Sequence, residues 1–213
     1  MQKRTEEAMI EAVRNLKRGD LLRLADGTGQ VLFGVEDIRA RVAELGRQIS
    51  QDYRDKAPVL VAILRGGFIF QCDLAHSISV PQEFDFLSVS RFNPHERGRT
   101  AVKILNDLRS DVRGRDVIVV EGIRTDSTKI EYVQTFLHLR EPRSLRFAAL
   151  VCHEAARNHA VPLQYKGFEI GSEFVIGCGL DFQERYRNLP VVATFTPAGR
   201  GVETPSRGRA DIA

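Results

Sequence analysis

Apolar positions along the chain fall into two patterns. Val35, Ile38, Val42, Leu45 and Ile49 recur at intervals of 3, 4, 3 and 4 with charged residues between them, which marks one face of an amphipathic helix lying on a sheet. Met9, Ala12, Val13 and Leu16 form a shorter stripe of the same kind, predicting a helix over residues 5–17 that Gly19 and Asp20 end. From Pro58 onward the pattern changes to short, mainly apolar runs separated by Gly and charged loops, at residues 59–64, 84–90, 117–121, 145–151, 174–179 and 191–195. Runs this short, bounded by Gly and charged residues, read as strands. Helical patterns at 68–79 and 128–139 stand between several of them, so the order is strand, helix, strand, repeated. That alternation predicts a parallel sheet covered by helices on both faces.

Two stretches break the alternation. Residues 91–103 hold Arg91, Arg97, Arg99 and Lys103 against one acid, Glu96, with Asn93, Pro94 and Gly98 as breakers, and read as a mobile basic loop or hairpin beside the sheet. Residues 197–213 are rich in Gly, Pro, Arg and Thr without periodicity, the pattern of a disordered tail. The expected division is an N-terminal extension with an amphipathic helix at 1–29, a catalytic-sized body at 30–196 and the tail at 197–213.

Composition narrows the class. A chain of 213 residues with 43% hydrophobic and 28% charged residues suits one well-cored α/β domain with arms. Its 31 Lys and Arg against 28 Asp and Glu leave a net charge of only +3, which favours small anions at a local site over nucleic acid. The apolar runs fall far short of the ~20 residues of a membrane span, and residues 1–7 are charged where a secretory signal would be apolar. Cys72, Cys152 and Cys178 lack metal-like spacing and lie in apolar sequence, as buried free thiols of a reducing compartment do. A cytoplasmic protein with no membrane contact is expected.

In open parallel sheets ligands bind beyond the carboxyl ends of the strands, and three strand ends here carry phosphate chemistry. Run 59–64 leads into Arg65-Gly66-Gly67, where glycines let backbone N–H groups approach an anion and the guanidinium adds charge. Run 117–121 leads into Gly122-Ile123-Arg124-Thr125-Asp126-Ser127-Thr128-Lys129, hydroxyls and free N–H groups at the start of a helix. Run 174–179 is followed by Asp181, Glu184, Arg185 and Arg187. Taken singly these also read as a tight turn, a helix cap and a structural ion pair; together they point to one site.

The chain resembles the hypoxanthine-guanine phosphoribosyltransferases, of the type I phosphoribosyltransferase fold. The resemblance runs from about Gln30 to Phe195 and is carried by Val35-Glu36-Asp37-Ile38, by Val59 to Phe70, by Glu83-Phe84-Asp85-Phe86 and by Val102 to Leu108. Its most specific stretches are Gly167-Phe168-Glu169-Ile170, Glu173-Phe174-Val175-Ile176-Gly177 and Gly179-Leu180-Asp181-Phe182-Gln183-Glu184-Arg185-Tyr186-Arg187. It implies an α/β fold, a twisted, mostly parallel sheet flanked by helices, with a small hood and, here, an extra N-terminal helix. It also implies transfer of ribose 5-phosphate from 5-phosphoribosyl 1-pyrophosphate (PRPP) to N9 of a 6-oxopurine, with Mg2+ and in a homodimer or homotetramer. Position by position, Arg65 and Gly66 match the pyrophosphate loop, with Arg65 where Lys is usual. Arg187 matches the arginine that reaches pyrophosphate, Phe174 the aromatic that stacks on the base, and Val175 the residue whose backbone reads the base edge. Asp181 and Glu121 match acids near the metal, and residues 91–103 match a loop that closes over the site.

The departures lie in the PRPP loop. The family pattern is Glu-Asp-x-x-Asp-Thr-Gly-x-Thr. Without a gap, Glu121 remains while Gly122 replaces the second acid, Thr125 the catalytic Asp, Asp126 the Thr, Ser127 the Gly and Lys129 the last Thr. A one-residue bulge would instead let Asp126-Ser127-Thr128-Lys129 imitate Asp-Thr-Gly-x, so Glu121 and Asp126 are the catalytic candidates, with Thr125, Ser127, Thr128 and Lys129 around the phosphate. His153 stands where a Lys donates to the purine 6-oxo group, and a histidine is only partly charged near neutral pH. Two functions follow: a working transferase on a 6-oxopurine or related base, or a catalytically impaired, nucleotide-binding regulatory homologue that has lost its loop acids. Restoring Asp at 122 and 125 is expected to raise turnover if the first holds.

Overall fold

The structure, a computed structural model, describes residues 13, 15–92, 101–125, 128–156 and 159–198. In chain order the first elements are β1 (Leu21–Leu24), β2 (Gly27–Phe33), α1 (Val35–Asp52), β3 (Val59–Leu64), α2 (Phe68–Ser77), β4 (Glu83–Phe92) and β5 (Ala101–Asn106). There follow β6 (Asp116–Arg124), α3 (Thr128–His138), β7 (Ser144–His153), a short 3-10 turn (Glu154–Ala156), β8 (Tyr165–Ile170), β9 (Val175–Ile176), β10 (Val192–Thr194) and β11 (Thr196–Pro197).

Strand β3 shows why its sequence is apolar throughout. Val59, Val61 and Ile63 pack with Ile130, Val133 and Leu137 of α3, whereas Leu60 faces Ile38, Val42, Leu45 and Ile49 of α1 and Phe70 and Leu74 of α2. Alternate residues thus feed two cores, one on each side of the sheet. The six strands run in the order β5-β4-β3-β6-β7-β8. All neighbours are parallel except the edge pair β4 and β5. The expected mostly parallel sheet with helices on both faces is what forms.

The basic stretch read as a loop or hairpin is a hairpin at its base, with Arg91 opposite Val102 and Phe92 opposite Ala101; residues 93–100 lie outside the described residues. The predicted helix at 5–17 lies outside them too, except for Val13 and residues 15–17, as do Asp126, Ser127 and the tail beyond residue 198.

A second sheet, β1-β2-β10-β9 with β11 on β2, forms the hood, and every pairing in it is antiparallel. Leu22, Val31, Ile176, Val191, Ala193 and Phe195 make its core, and Val13 and Leu16 pack against it. The boundary drawn at residue 29/30 therefore falls inside β2. The reason is local: β2 presents Gly27 and Gly29 inward, and a side chain at Gly29 would sit 1.9 Å from the Thr194 carbonyl oxygen. Strand packing here needs the absence of side chains, so no apolar run announces it.

Of the three cysteines, Cys152 and Cys178 are buried but Cys72 is exposed, against the expectation for all three. Helix α2 buries Phe70, Gln71, Leu74 and Ala75, which leaves Cys72 on the opposite face. Burial pushes the Cys178 thiol up to about 12 and raises Cys152 as well, so neither forms thiolate near neutrality. Titration of the folded protein with a disulfide reagent should release one equivalent of chromophore, from Cys72, and two more only after denaturation; rapid reaction of all three would contradict the packing. No helix among the described residues is long and apolar enough to cross a membrane.

Candidate active site

Three chain segments meet on one carbonyl at the carboxyl edge of the sheet. The end of β3 runs through Arg65, which follows a cis peptide bond, to Gly67, whose N–H donates to the Ile63 carbonyl at 3.0 Å and opens α2. Gln71 ties that helix back to β3 by donating to the Leu60 carbonyl at 2.7 Å. A Cβ placed on Gly122, in β6, would lie 2.4 Å from the Gly66 carbonyl oxygen, and one on Gly179 would lie 2.5 Å from the same atom. Gly179 also has φ +96°, a conformation that favours glycine. The 65–67 loop, the end of β6 and the segment leading to Asp181 are therefore in backbone contact.

A chain of charges crosses this junction. Arg65 pairs with Glu184 at 2.9 Å, Glu184 with Arg187 at 3.1 Å, and Arg187 with Asp181 at 2.9 Å. Arg187 also donates to the Gly179 carbonyl at 2.8 Å, and the Glu184 N–H donates to the Asp181 carboxylate at 2.8 Å. The backbone bends sharply to allow this: Cys178, Gln183, Glu184 and Tyr186 have φ of 47°, 50°, 66° and 74°. Non-glycine residues hold such angles at a cost of about 1–3 kcal/mol each, and they gather at functional sites. Glu184, the carboxylate that the sequence placed at this strand end beside two guanidiniums, links Arg65 to Arg187.

Glu121 and Arg124 close the floor. The pairing of β6 with β7 keeps one register from Asp116 opposite Ser144 to Arg124 opposite Cys152, so no bulge enters before Arg124 and Gly122 stands where the family's second acid would be. Glu121 is buried, at 4% exposure, with its Oε1 3.1 Å from Nζ of Lys129. Arg124, at 2% exposure, donates to the Val161 carbonyl, and its Nε and Nη1 have no hydrogen-bond partner among the described residues. Burial draws this guanidinium below its ordinary pKa, and Glu121 partly opposes that.

On the base side, Phe174 is 37% exposed and meets Phe182 edge-on at 6.0 Å between ring centres. Its carbonyl accepts the Phe195 N–H at 3.0 Å. Val175 is buried, and β9 pairs with β10 there, Val175 opposite Thr194. Arg65, Gly66, Asp181 and Arg187 are thus joined in one network, with Glu121 and Lys129 paired beside it. Thr125, Thr128 and His153 share the same sheet edge, at the end of β6, the start of α3 and the end of β7. Asp126 and Ser127 are the two candidates that lie outside the described residues.

The donor set argues against a protein-held metal ion. Among the described residues no three His, Cys, Asp or Glu side chains converge to hold one. Asp181 is already engaged by Arg187 and the Glu184 N–H, and Glu121 by Lys129.

Residues 34–183 match the family of the phosphoribosyl transferase domain. The chain is 42% identical over 167 residues to the hypoxanthine phosphoribosyltransferase of Salmonella typhimurium, covering 78% of this chain and 94% of that one. It is 40% identical over 173 residues to the hypoxanthine-guanine phosphoribosyltransferase of Mycobacterium avium, covering 78% and 85%. Among solved structures, the hypoxanthine phosphoribosyltransferase of Staphylococcus aureus superposes with a TM-score of 0.74 at 35% identity, over 78% and 91% of the two chains. The hypoxanthine-guanine phosphoribosyltransferase of Bacillus anthracis gives 0.72 at 32%, over 78% and 96%. Since the family model matches residues 34–183 and curated relatives about 40% identical are matched over most of both chains, the chain belongs to the hypoxanthine-guanine phosphoribosyltransferase family.

Proposed function

We propose that the protein transfers ribose 5-phosphate from PRPP to N9 of a 6-oxopurine of the hypoxanthine and guanine type, releasing pyrophosphate. The observation that supports this most directly is the Arg65–Glu184–Arg187–Asp181 chain at the strand ends, beside an exposed aromatic ring. Without ligand the two guanidiniums are held by carboxylates. A pyrophosphate group offers more charge and more oxygens, and would exchange with Glu184 as their partner. Phe174 stacks on the base, the β9 backbone at Val175 reads its edge, and His153 donates to its 6-oxo group.

As the bond from ribose C1′ to the pyrophosphate oxygen breaks, charge accumulates on the leaving group, which Arg65 and Arg187 stabilise in place. The bond from N9 to C1′ forms, and the N9 proton passes to Asp126 or to water. Thr125, Ser127, Thr128 and the first N–H groups of α3 surround the 5-phosphate. The hood and the hairpin of β4 and β5 restrict water at the reacting centre.

Members of the family use Mg2+ with PRPP. Here the side chains that would hold it on the protein's side are engaged elsewhere, and no step above passes through it. The exposed rings of Phe68 and Phe84, with Phe68 6.1 Å from Phe86, support a homodimer or homotetramer built on this face, in the cytoplasm.

Purified protein mixed with PRPP and hypoxanthine, guanine or xanthine in turn should release pyrophosphate with at least one base, followed by a coupled phosphate assay. No release with any of the three would overturn the reading.

A further inference from the structure

The pairing of Glu121 with Lys129 has a chemical meaning beyond local neutralisation. Glu121 is the one loop acid inside the described part of β6, and it is buried at 4% exposure with a lysine ammonium 3.1 Å away. A second acid beside it is prevented by shape: at Gly122 a Cβ would meet the Gly66 carbonyl oxygen at 2.4 Å and Leu180 Cδ2 at 3.0 Å. Nearby, Arg124 adds a second cation, itself buried, with two nitrogens lacking hydrogen-bond partners among the described residues. The end of β6 and the first turn of α3 thus bring two fixed cations to one described acid. A divalent ion bound by protein needs carboxylate oxygens that are free to face it; here Glu121 Oε1 faces the Lys129 ammonium instead.

The geometry points to Lys129 standing in the place of a metal: the protein binds its phosphorylated ligands, PRPP and the purine 5′-mononucleotide, with no divalent cation held by its own side chains, and Lys129 supplies the positive charge beside Glu121. This rests on the proposed function, since it concerns the ligands of that reaction. Lys129 acts by position and charge: carried on the first turn of α3, its ammonium stands 3.1 Å from Glu121.

The test uses the full chain and measures binding. PRPP and inosine 5′-monophosphate are titrated calorimetrically in excess EDTA and again in millimolar MgCl2. The wild type is expected to bind each with affinities within about threefold in the two buffers, a difference well under 1.4 kcal/mol. Binding that falls tenfold or more in EDTA overturns the proposal while leaving the functional reading standing. Absence of binding in both buffers overturns the reading and the proposal together.

Lys129→Met frees Glu121. It should lose about tenfold or more in EDTA and regain affinity in MgCl2, whereas Lys129→Arg should behave as wild type. Mn2+ titrated alone, followed by its electron paramagnetic resonance signal, should remain free with the wild type and bind the methionine variant. Equal affinities of wild type and Lys129→Met in EDTA would also overturn the proposal. If the methionine variant does not fold, the wild-type comparison decides alone.

Discussion

Replacing Arg187 by alanine should lower kcat/KM for PRPP by about two to three orders of magnitude, the scale at which one fixed donor to a developing negative charge contributes. The argument is geometric. Arg187 pairs with both Asp181 and Glu184 and also donates to the Gly179 carbonyl. On the proposed mechanism its removal takes away a cation that stabilises the leaving group, and it leaves Asp181 and Glu184 without their shared guanidinium. Truncating a buried ion pair costs about 3–5 kcal/mol. The Arg187 side chain is 21% exposed, so water screens the freed carboxylates and a loss of about 1–2 kcal/mol in stability is expected. Arg187→Lys keeps the charge but cannot bridge both acids, and should recover part of the rate. Steady-state pyrophosphate release, with circular dichroism to verify folding, reads both effects. A rate within threefold of wild type for the alanine variant would remove Arg187 from the mechanism.

Gly122→Asp should lower activity, although the sequence alone suggested the opposite. The expectation was that restoring an acid at 122 and at 125 would rebuild the family's ribose clamp. In the structure a Cβ at 122 lies 2.4 Å from the oxygen and 2.8 Å from the carbon of the Gly66 carbonyl. These are backbone atoms that cannot rotate away, so the 65–67 loop must shift. Overpacking of this kind costs about 1–3 kcal/mol, and the shift moves Arg65 from its partner. Thermal melting should fall for both Gly122→Asp and Gly122→Ala, and pyrophosphate release should fall about tenfold or more for each. The alanine variant isolates shape from charge. Thr125→Asp, at an exposed position, should leave the melting temperature unchanged. A gain in turnover from Gly122→Asp would show that the loop has room the glycine contacts deny.

The sheet was legible because its strands are buried on both faces. The run at 59–64 coincides with β3, and helix α1 matches the stripe from Val35 to Ile49, whose inward residues are those buried. What stayed hidden has physical causes. Strand β2 carries Gly27 and Gly29 where a pattern needs apolar side chains, and β1 has only four residues. Edge strands β5 and β8 have polar residues such as Lys103 and Glu169 among their apolar ones. The run at 174–179 gave only the two-residue β9, because Gly177 and Gly179 take positive φ and turn the chain. In the site, Arg65, Gly66, Asp181 and Arg187 could be found one by one from strand ends and motif, but not their common network. That network depends on Glu184, held at φ 66°, which spacing cannot show. Nor could spacing show that Lys129 would reach back from α3 to Glu121.

The hood is woven from both ends of the chain: the Gln30 N–H donates to the Thr194 hydroxyl across 164 residues, and Val31 lies opposite Ala193. Contacts so distant in sequence form late, after the loop between them has closed. During synthesis the six strands β3 to β8, and with them the pyrophosphate loop, are complete before β10 has been made. The parallel sheet can therefore fold on the ribosome, while the Asp181, Glu184 and Arg187 side of the charged junction and the hood are withheld until the chain is almost finished. A chain ended after β8 would keep Arg65 without Glu184, its partner across the junction.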